Sequence, residues 1–319
     1  MPLFVYFLSN SFSSFSLELE ILRTIIHFLF SISVMSRGDR VTVSGNLSTS
    51  MRDNYGEHGV VEYYKKVGSS YRNPHYPGIR SSLFTWFNRW WDNEKETISR
   101  ITPEQIMLFD MACASGEATL AFFDWCNSGK KMFQESSKAQ GGDRPPVARP
   151  HKKGVIISIP LGPEFPKPQV AAADPFTAAA YQERTSYHCS ALSFEAIAEG
   201  AVPSTSVNIV DGSICDVLQT GDAPEDTERP YPYLVEVVVC SFALHLVENP
   251  SALFALLWQL SLKARWLVIL APHKKPEIKD GWGWCKWDVD AWAECSMTST
   301  VGELLYDRVH CRAYRSVNI

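Results

Sequence analysis

The run from Tyr233 to Cys240 constrains the fold more than any other stretch. It is short, Val-rich and, Glu236 aside, continuously apolar. A strand that faces water on one side alternates apolar and polar residues; an unbroken apolar run suits a parallel sheet covered on both faces. Arg265 to Ala271, closed by Pro272, repeats the pattern. Ile106–Cys113 and Val170–Ala173 are further candidate strands, and either Ala191–Phe194 or Val207–Val210 supplies another. Helical stretches separate them. Leu83–Ile98 carries Trp86, Phe87, Trp90 and Trp91, and Glu117–Cys126 carries Ala118, Leu120, Ala121 and Phe122. A third helix begins at Phe176. Asn249-Pro250 opens a fourth as a cap followed by proline, with Leu253, Leu256, Leu257 and Leu260 as its stripe. This alternation predicts an α/β fold with a doubly wound, mostly parallel sheet. After the Trp-rich stretch from Asp280, Leu304–Tyr314 reads as one strand.

At 319 residues and 45% apolar content, the chain can bury a large core. A net charge of −5 argues against sequence-blind nucleic-acid binding. Segment 130–153 carries seven Lys and Arg against two acids, so a local acidic or nucleic-acid contact is the alternative to a solvated insertion there. Eight cysteines include no CxxC pair, which gives no support to a zinc site; no metal is expected, and a reduced cytoplasmic or nuclear setting fits best. Residues 3–34 are apolar and Ser-rich, but Arg23 and His27 interrupt the most apolar part, which falls short of a membrane span. No stable membrane insertion is expected. Met35 resembles an ordinary start, so residues 1–34 are read as a dispensable upstream extension, with an amphipathic anchor or degenerate targeting peptide as alternatives. The expected organisation is an N-terminal extension over 1–56, a helical lid or subdomain over 57–105, and the α/β domain over 106–319, with a basic, disordered insertion at about 127–165.

The chemistry-bearing feature is the strand–turn–helix from Asp110 to Leu120. Small residues in such a turn let a ligand approach the backbone, and free N–H groups at the helix start meet anionic groups. The sequence from Asp110 through Ala112, Ala114 and Gly116 to Thr119 resembles the first motif of class I S-adenosylmethionine-dependent methyltransferases, with alanine at 112 and 114 where glycine is usual. The resemblance continues in order. Ala172–Phe176 looks like the second strand with its terminal acid, Asp174. Val237–Leu246 looks like the fourth-strand motif, and Leu267–Pro272 like the fifth strand. It spans roughly residues 106–275 and is similar to an uncharacterised fungal-type branch carrying Ser241–His245 and Pro272–Glu277.

This resemblance implies a Rossmann-like fold with S-adenosylmethionine held by Asp110, Ala112, Ala114, Gly116, Asp174 and Ser241. The methyl acceptor is unidentified, and a small or medium-sized organic molecule is expected. His245, just past a strand end, is the candidate base. Tyr71 and His75, in a Pro-rich loop, and His273 and Lys274, after the next strand, are the candidate acceptor contacts, Lys274 favouring an anionic group. Each of these also has an ordinary structural reading. The alternative function is an inactive, methyltransferase-like binding or regulatory protein. A nicotinamide-dependent oxidoreductase would want Gly-x-Gly-x-x-Gly, which is absent.

Overall fold

The computed structural model describes residues 71–139, 156–203 and 235–319. The first strand, β1 (Gln105–Met111), lies one strand in from an edge of the sheet. It pairs in parallel with β2 (Lys167–Ala173) on one side and β3 (Val235–Ser241) on the other. β3 pairs in parallel with β4 (Ala264–Ala271), every residue of which is buried. Beyond β4 the direction reverses. β8 (Val309–Ser316) runs antiparallel to β4, and β5 (Trp284–Asp288) antiparallel to β8. β6 (Ala293–Cys295) and β7 (Leu304–Tyr306) pair antiparallel with β5 and β8. The eight-stranded sheet is therefore mixed, with three parallel and four antiparallel pairings, and the expectation of a mostly parallel sheet is corrected.

The reversal has local causes. The segment read as one strand over Leu304–Tyr314 is a hairpin. Asp307 and Arg308 both take positive φ, 46° and 67°, which matches the two-residue turns that suit the twist of hairpin strands. The Trp-rich stretch supplies the missing strand: Trp284, Lys286 and Asp288 are buried, alternating with half-buried Cys285 and Trp287. That period of two is a strand's own.

Helix α1 (Tyr76–Ile101) has Pro77 in its first turn and buries Trp86, Phe87, Trp90 and Trp91. These rings share one hydrophobic cluster with Trp125, Trp266 and residues of β1, β3, β4 and β8. The aromatic stretch is core packing, and of the segment expected as a lid or subdomain, Tyr76–Ile101 packs into the main core. Residues 57–70, like the N-terminal extension and Val207–Val210, lie outside the described residues.

Helix α2 (Glu117–Ala139) runs well past Cys126, into the segment expected to be disordered. Gly129 sits within it because a Cβ there would press on Leu161 Cγ (2.5 Å) and Ile159 O (2.7 Å). The strap 156–165 buries Leu161 and Phe165 and is pinned by Asn88, which accepts from Ile159 N (3.1 Å) and Trp125 Nε1 (2.7 Å). The rest of the basic segment, 140–155, lies outside the described residues.

Helices α3 (Ala178–Thr185) and α4 (Phe194–Ala198) follow β2. Ala191–Phe194 is no strand: the chain makes a single bridge, Ser190 to Ala173, and Ser193 then caps α4. Helix α5 (Pro250–Ser261) joins β3 to β4, and Asn249 Oδ1 accepts from Ser251 N (2.9 Å) and Ala252 N (3.4 Å), as the cap reading predicts.

Near the start of β3, Glu236 is buried and meets Arg265 Nε (3.1 Å) and Trp90 Nε1 (3.3 Å). Burial pushes the Glu236 carboxyl up, while Arg265 opposes the shift. Breaking such a pair from one side strands a buried charge, which costs about 3–5 kcal/mol. Arg265→Met is expected to destabilise the protein on that scale in urea unfolding at pH 7. A loss below about 1 kcal/mol would show that the pair is dispensable.

Candidate active site

The site grows out of the end of β1. Ala112, Ala114 and Gly116 take φ of 56°, 48° and 86°, so the left-handed conformation recurs at three alternate positions. For a non-glycine residue it costs roughly 1–2 kcal/mol, so the two alanines must be held there. Cys113 N donates to Ala173 O (3.2 Å) and Gly116 N to Cys113 O (2.8 Å). Ala114 N donates to Asp174 Oδ2 (3.2 Å), while Asp174 Oδ1 accepts from Phe176 N (2.9 Å) and Thr177 N (3.0 Å). One carboxylate thus fixes its own turn and the neighbouring one.

The ends of β1, β2 and β3 surround a cavity of about 700 Å³. The chain goes from β1 to β2 on one side, then crosses to β3 on the other. Ligand crevices of open α/β sheets form where strand order reverses in this way. Of the predicted site residues, the cavity brings together Tyr71, Ala112, Ala114, Asp174 and Ser241. The Ser241 Oγ is buried without a hydrogen-bond partner.

The other predicted residues lie elsewhere. Gly116 does not line the cavity: a Cβ there would collide with Thr185 Cγ2, so the glycine lets the start of α2 close on α3. His75 stacks on Phe242, centroids 5.1 Å apart, and it is Phe242, with φ of 59°, that reaches the cavity. His245 and His273 meet edge to face at 4.8 Å, away from the cavity lining. Burial first, and His273 second, push His245 down to about 4, so it is neutral at physiological pH. Lys274 Nζ approaches Glu303 Oε2 at 3.9 Å. Of the residues expected as acceptor contacts, Tyr71 lines the cavity, while the loops after β3 and β4 turn their histidines towards each other.

Asp110 is fully buried beneath the turn. Its Oδ2 accepts from Thr119 N (3.0 Å) and Thr119 Oγ1 (2.7 Å), while Oδ1 has no partner. Burial pushes the carboxyl up to about 7, against the pull of the Thr119 bonds. Its role is to anchor the first turn of α2.

Sequence reading missed Glu117. Its Oε1 accepts from Ser115 Oγ (2.7 Å), Arg184 NH1 (2.7 Å) and Asn73 N (3.1 Å), tying the segment ahead of α1 to the start of α2. An acid in a helix's first turn was its only sequence signal. Cys113 and Cys189 lie with sulfurs 3.4 Å apart, and burial holds the Cys113 thiol protonated. Among the described residues, no group of three or more His, Cys, Asp or Glu could hold a metal ion, and no helix is long and apolar enough to cross a membrane.

No protein-family model matches the chain. It is 35% identical over 275 residues to the uncharacterised protein C17A5.05c of Schizosaccharomyces pombe, covering 86% of this chain and 95% of that protein. Among solved structures it is similar to magnesium protoporphyrin IX methyltransferase (ChlM) from Synechocystis PCC 6803 with bound SAM, at 12% identity and a TM-score of 0.31, covering 83% of this chain and 94% of that one.

The Asp110 carboxyl gives stability a sign with pH. An unfolded aspartate ionises near 4, whereas the folded carboxyl keeps its proton to about 7. Between those values the folded state binds the extra proton, so this group lowers stability as pH rises, by up to roughly 4 kcal/mol, and is neutral to pH above the window. Measured by urea unfolding from pH 5 to 8, Asp110→Asn is expected to remove that decline. An identical slope in protein and variant would show that Asp110 ionises normally.

Proposed function

We propose that this chain, which belongs to the same family as the S. pombe protein C17A5.05c, is an S-adenosylmethionine-dependent methyltransferase acting on a small or medium-sized organic acceptor. One observation carries the reading: left-handed backbone at 112, 114 and 116, tied to the acid that ends β2, at the mouth of a cavity on the switch point of the sheet. The glycine-like backbone is kept although two of its residues are alanine, so the turn still offers main chain rather than bulky side chains to a ligand. Ala112, Ala114, Asp174 and Ser241 would hold the cofactor, Asp174 through lone pairs left over from its three amide bonds and Ser241 through its unpartnered hydroxyl. Bound there, the cofactor would supply an electrophilic methyl group. The chain's part is then alignment and exclusion of water. Tyr71, nearly buried and held close to α2 by the Asn73–Glu117 bond, helps to close the cavity.

A cofactor-binding protein without turnover is the second reading. It is favoured by the position of His75, His245 and His273, none of which lines the cavity.

Calorimetric titration with S-adenosylmethionine is expected to show one site. Asp174→Ala should weaken it by about 1.5–3 kcal/mol, the scale of a charge-assisted hydrogen bond. Ala114→Gly should relieve left-handed strain, raising stability by roughly 1 kcal/mol and tightening the cofactor. No binding heat, or equal affinity in Asp174→Ala, would remove the cofactor from this cavity. A turnover assay on fractionated extract with labelled cofactor separates enzyme from inactive binder.

A further inference from the structure

The cavity has a charge pattern that its proposed use as a methyltransferase site does not fix. Glu117, Asp174, Glu195, Glu199 and Glu248 line it, and among the described residues no Lys, Arg or His does. Two of these carboxylates are accounted for. Glu117 is paired with Arg184 at 2.7 Å, and Asp174 accepts three backbone amides. Glu195, Glu199 and Glu248 are different. They are exposed, come from α4 and its end and from the residue before the α5 cap, and form no ion pair among the described residues. Their charges sit at the solvent-facing part of a largely apolar cavity.

The apolar lining includes the aromatic rings of Phe176, Phe194 and Phe242 besides Tyr71. Aromatic faces attract cations, and carboxylates around a low-dielectric recess focus a negative potential into it. An anionic ligand would meet repulsion with no lining cation to offset it. Lys274, the cation expected from sequence to favour an anionic acceptor, approaches Glu303 instead.

We propose that this cavity selects an organic cation with an apolar body. Resting on the methyl-transfer reading, this makes the acceptor an amine rather than a carboxylate or a phosphate: bound as its ammonium, it would lose a proton to a rim carboxylate or to solvent, and its freed lone pair would form the N–C bond as the C–S bond breaks and S-adenosylhomocysteine leaves. The negative rim and the aromatic lining act together: the rings take the body of the ligand, and Glu195, Glu199 and Glu248 take its charge. The second role of the rim is rejection, since a desolvated anion beside uncompensated carboxylates is excluded more strongly than a cation is drawn in.

Three probes with one aromatic frame test this: tryptamine, tryptophol and indole-3-acetate, which are cationic, neutral and anionic at pH 7. Their affinities for the full chain are measured by calorimetry, alone and in saturating S-adenosylhomocysteine. Tryptamine is expected to bind roughly five- to tenfold more tightly than tryptophol, with indole-3-acetate weakest, and the gap should shrink in 0.5 M salt. In the Glu195→Gln/Glu248→Gln double variant, whose changes lie on the surface, tryptamine should lose most of that advantage while tryptophol is unmoved. Indole-3-acetate binding as tightly as tryptamine, no binding of any probe, or an undiminished gap in the double variant would each overturn the proposal. If S-adenosylhomocysteine does not bind but the tryptamine preference holds, the methyl-transfer reading fails and the cation selectivity stands. If the nucleoside binds and the probes show no charge preference, the reverse follows.

Discussion

The Asp174 carboxylate is the contact on which the site depends. Its two oxygens accept amides from its own turn and from the turn after β1. Parallel strands bond to each other along their length, but their ends are free to splay. A charged acceptor shared between two strand ends locks them together with bonds stronger than neutral ones. Without it, Ala114 would have to hold a left-handed conformation with one fewer restraint. β1 and β2 stop at matched heights, Met111 opposite Ala173, so the turns that follow both strands line the cavity.

The rest of the molecule makes that edge rigid. One hydrophobic cluster packs α1, α2 and the strap after residue 156 on one side of the sheet, and a second packs α4 and α5 on the other. Trp86 stacks on Trp90 and meets Trp266 edge to face, so α1 and β4 are joined by rings. Interiors this densely filled deform little, so the strand ends are held still. The buried polar groups serve the same purpose. Glu236 ties β3 to β4 and α1, and Glu94 accepts from Trp292 Nε1 at 3.0 Å, joining α1 to the turn after β5.

The parallel half of the sheet was legible in the sequence because its strands are buried on both faces, and an unbroken apolar run leaves few other readings. The antiparallel half was not. β5 hides within a Trp-rich stretch, and the hairpin turn uses Asp307-Arg308 rather than glycine. The length of α2 was lost for a similar reason. Ser128 and Gly129 look like a stop signal, yet the glycine answers to Leu161, 32 positions away, which nothing local reveals. In the site, the turn after β1 was readable because its constraint is local backbone geometry. The placement of His245 and His273 was not, because whether a histidine after a strand faces the cavity or another histidine is decided by tertiary packing alone.

The electrostatics of the cavity are layered, and the layers respond differently to pH. The rim carboxylates of Glu195, Glu199 and Glu248 are exposed. Glu117 and Arg184 form a pair that contributes little net field. Beneath the turn, Asp110 is pushed up to about 7 and therefore sits at the edge of ionisation under ordinary conditions. Its charge, when it appears, is in the interior, where water screens it poorly. A positive ligand above the turn would favour the ionised form and a negative one the protonated form, because opposite charges stabilise each other and like charges do not. Linkage makes this reciprocal: occupancy by a cation draws the Asp110 proton off, and losing that proton favours the cation. The same carboxyl that weakens the empty fold as pH rises would thus favour a positively charged ligand, and both effects would meet beneath a turn whose two alanines are already held in the left-handed conformation.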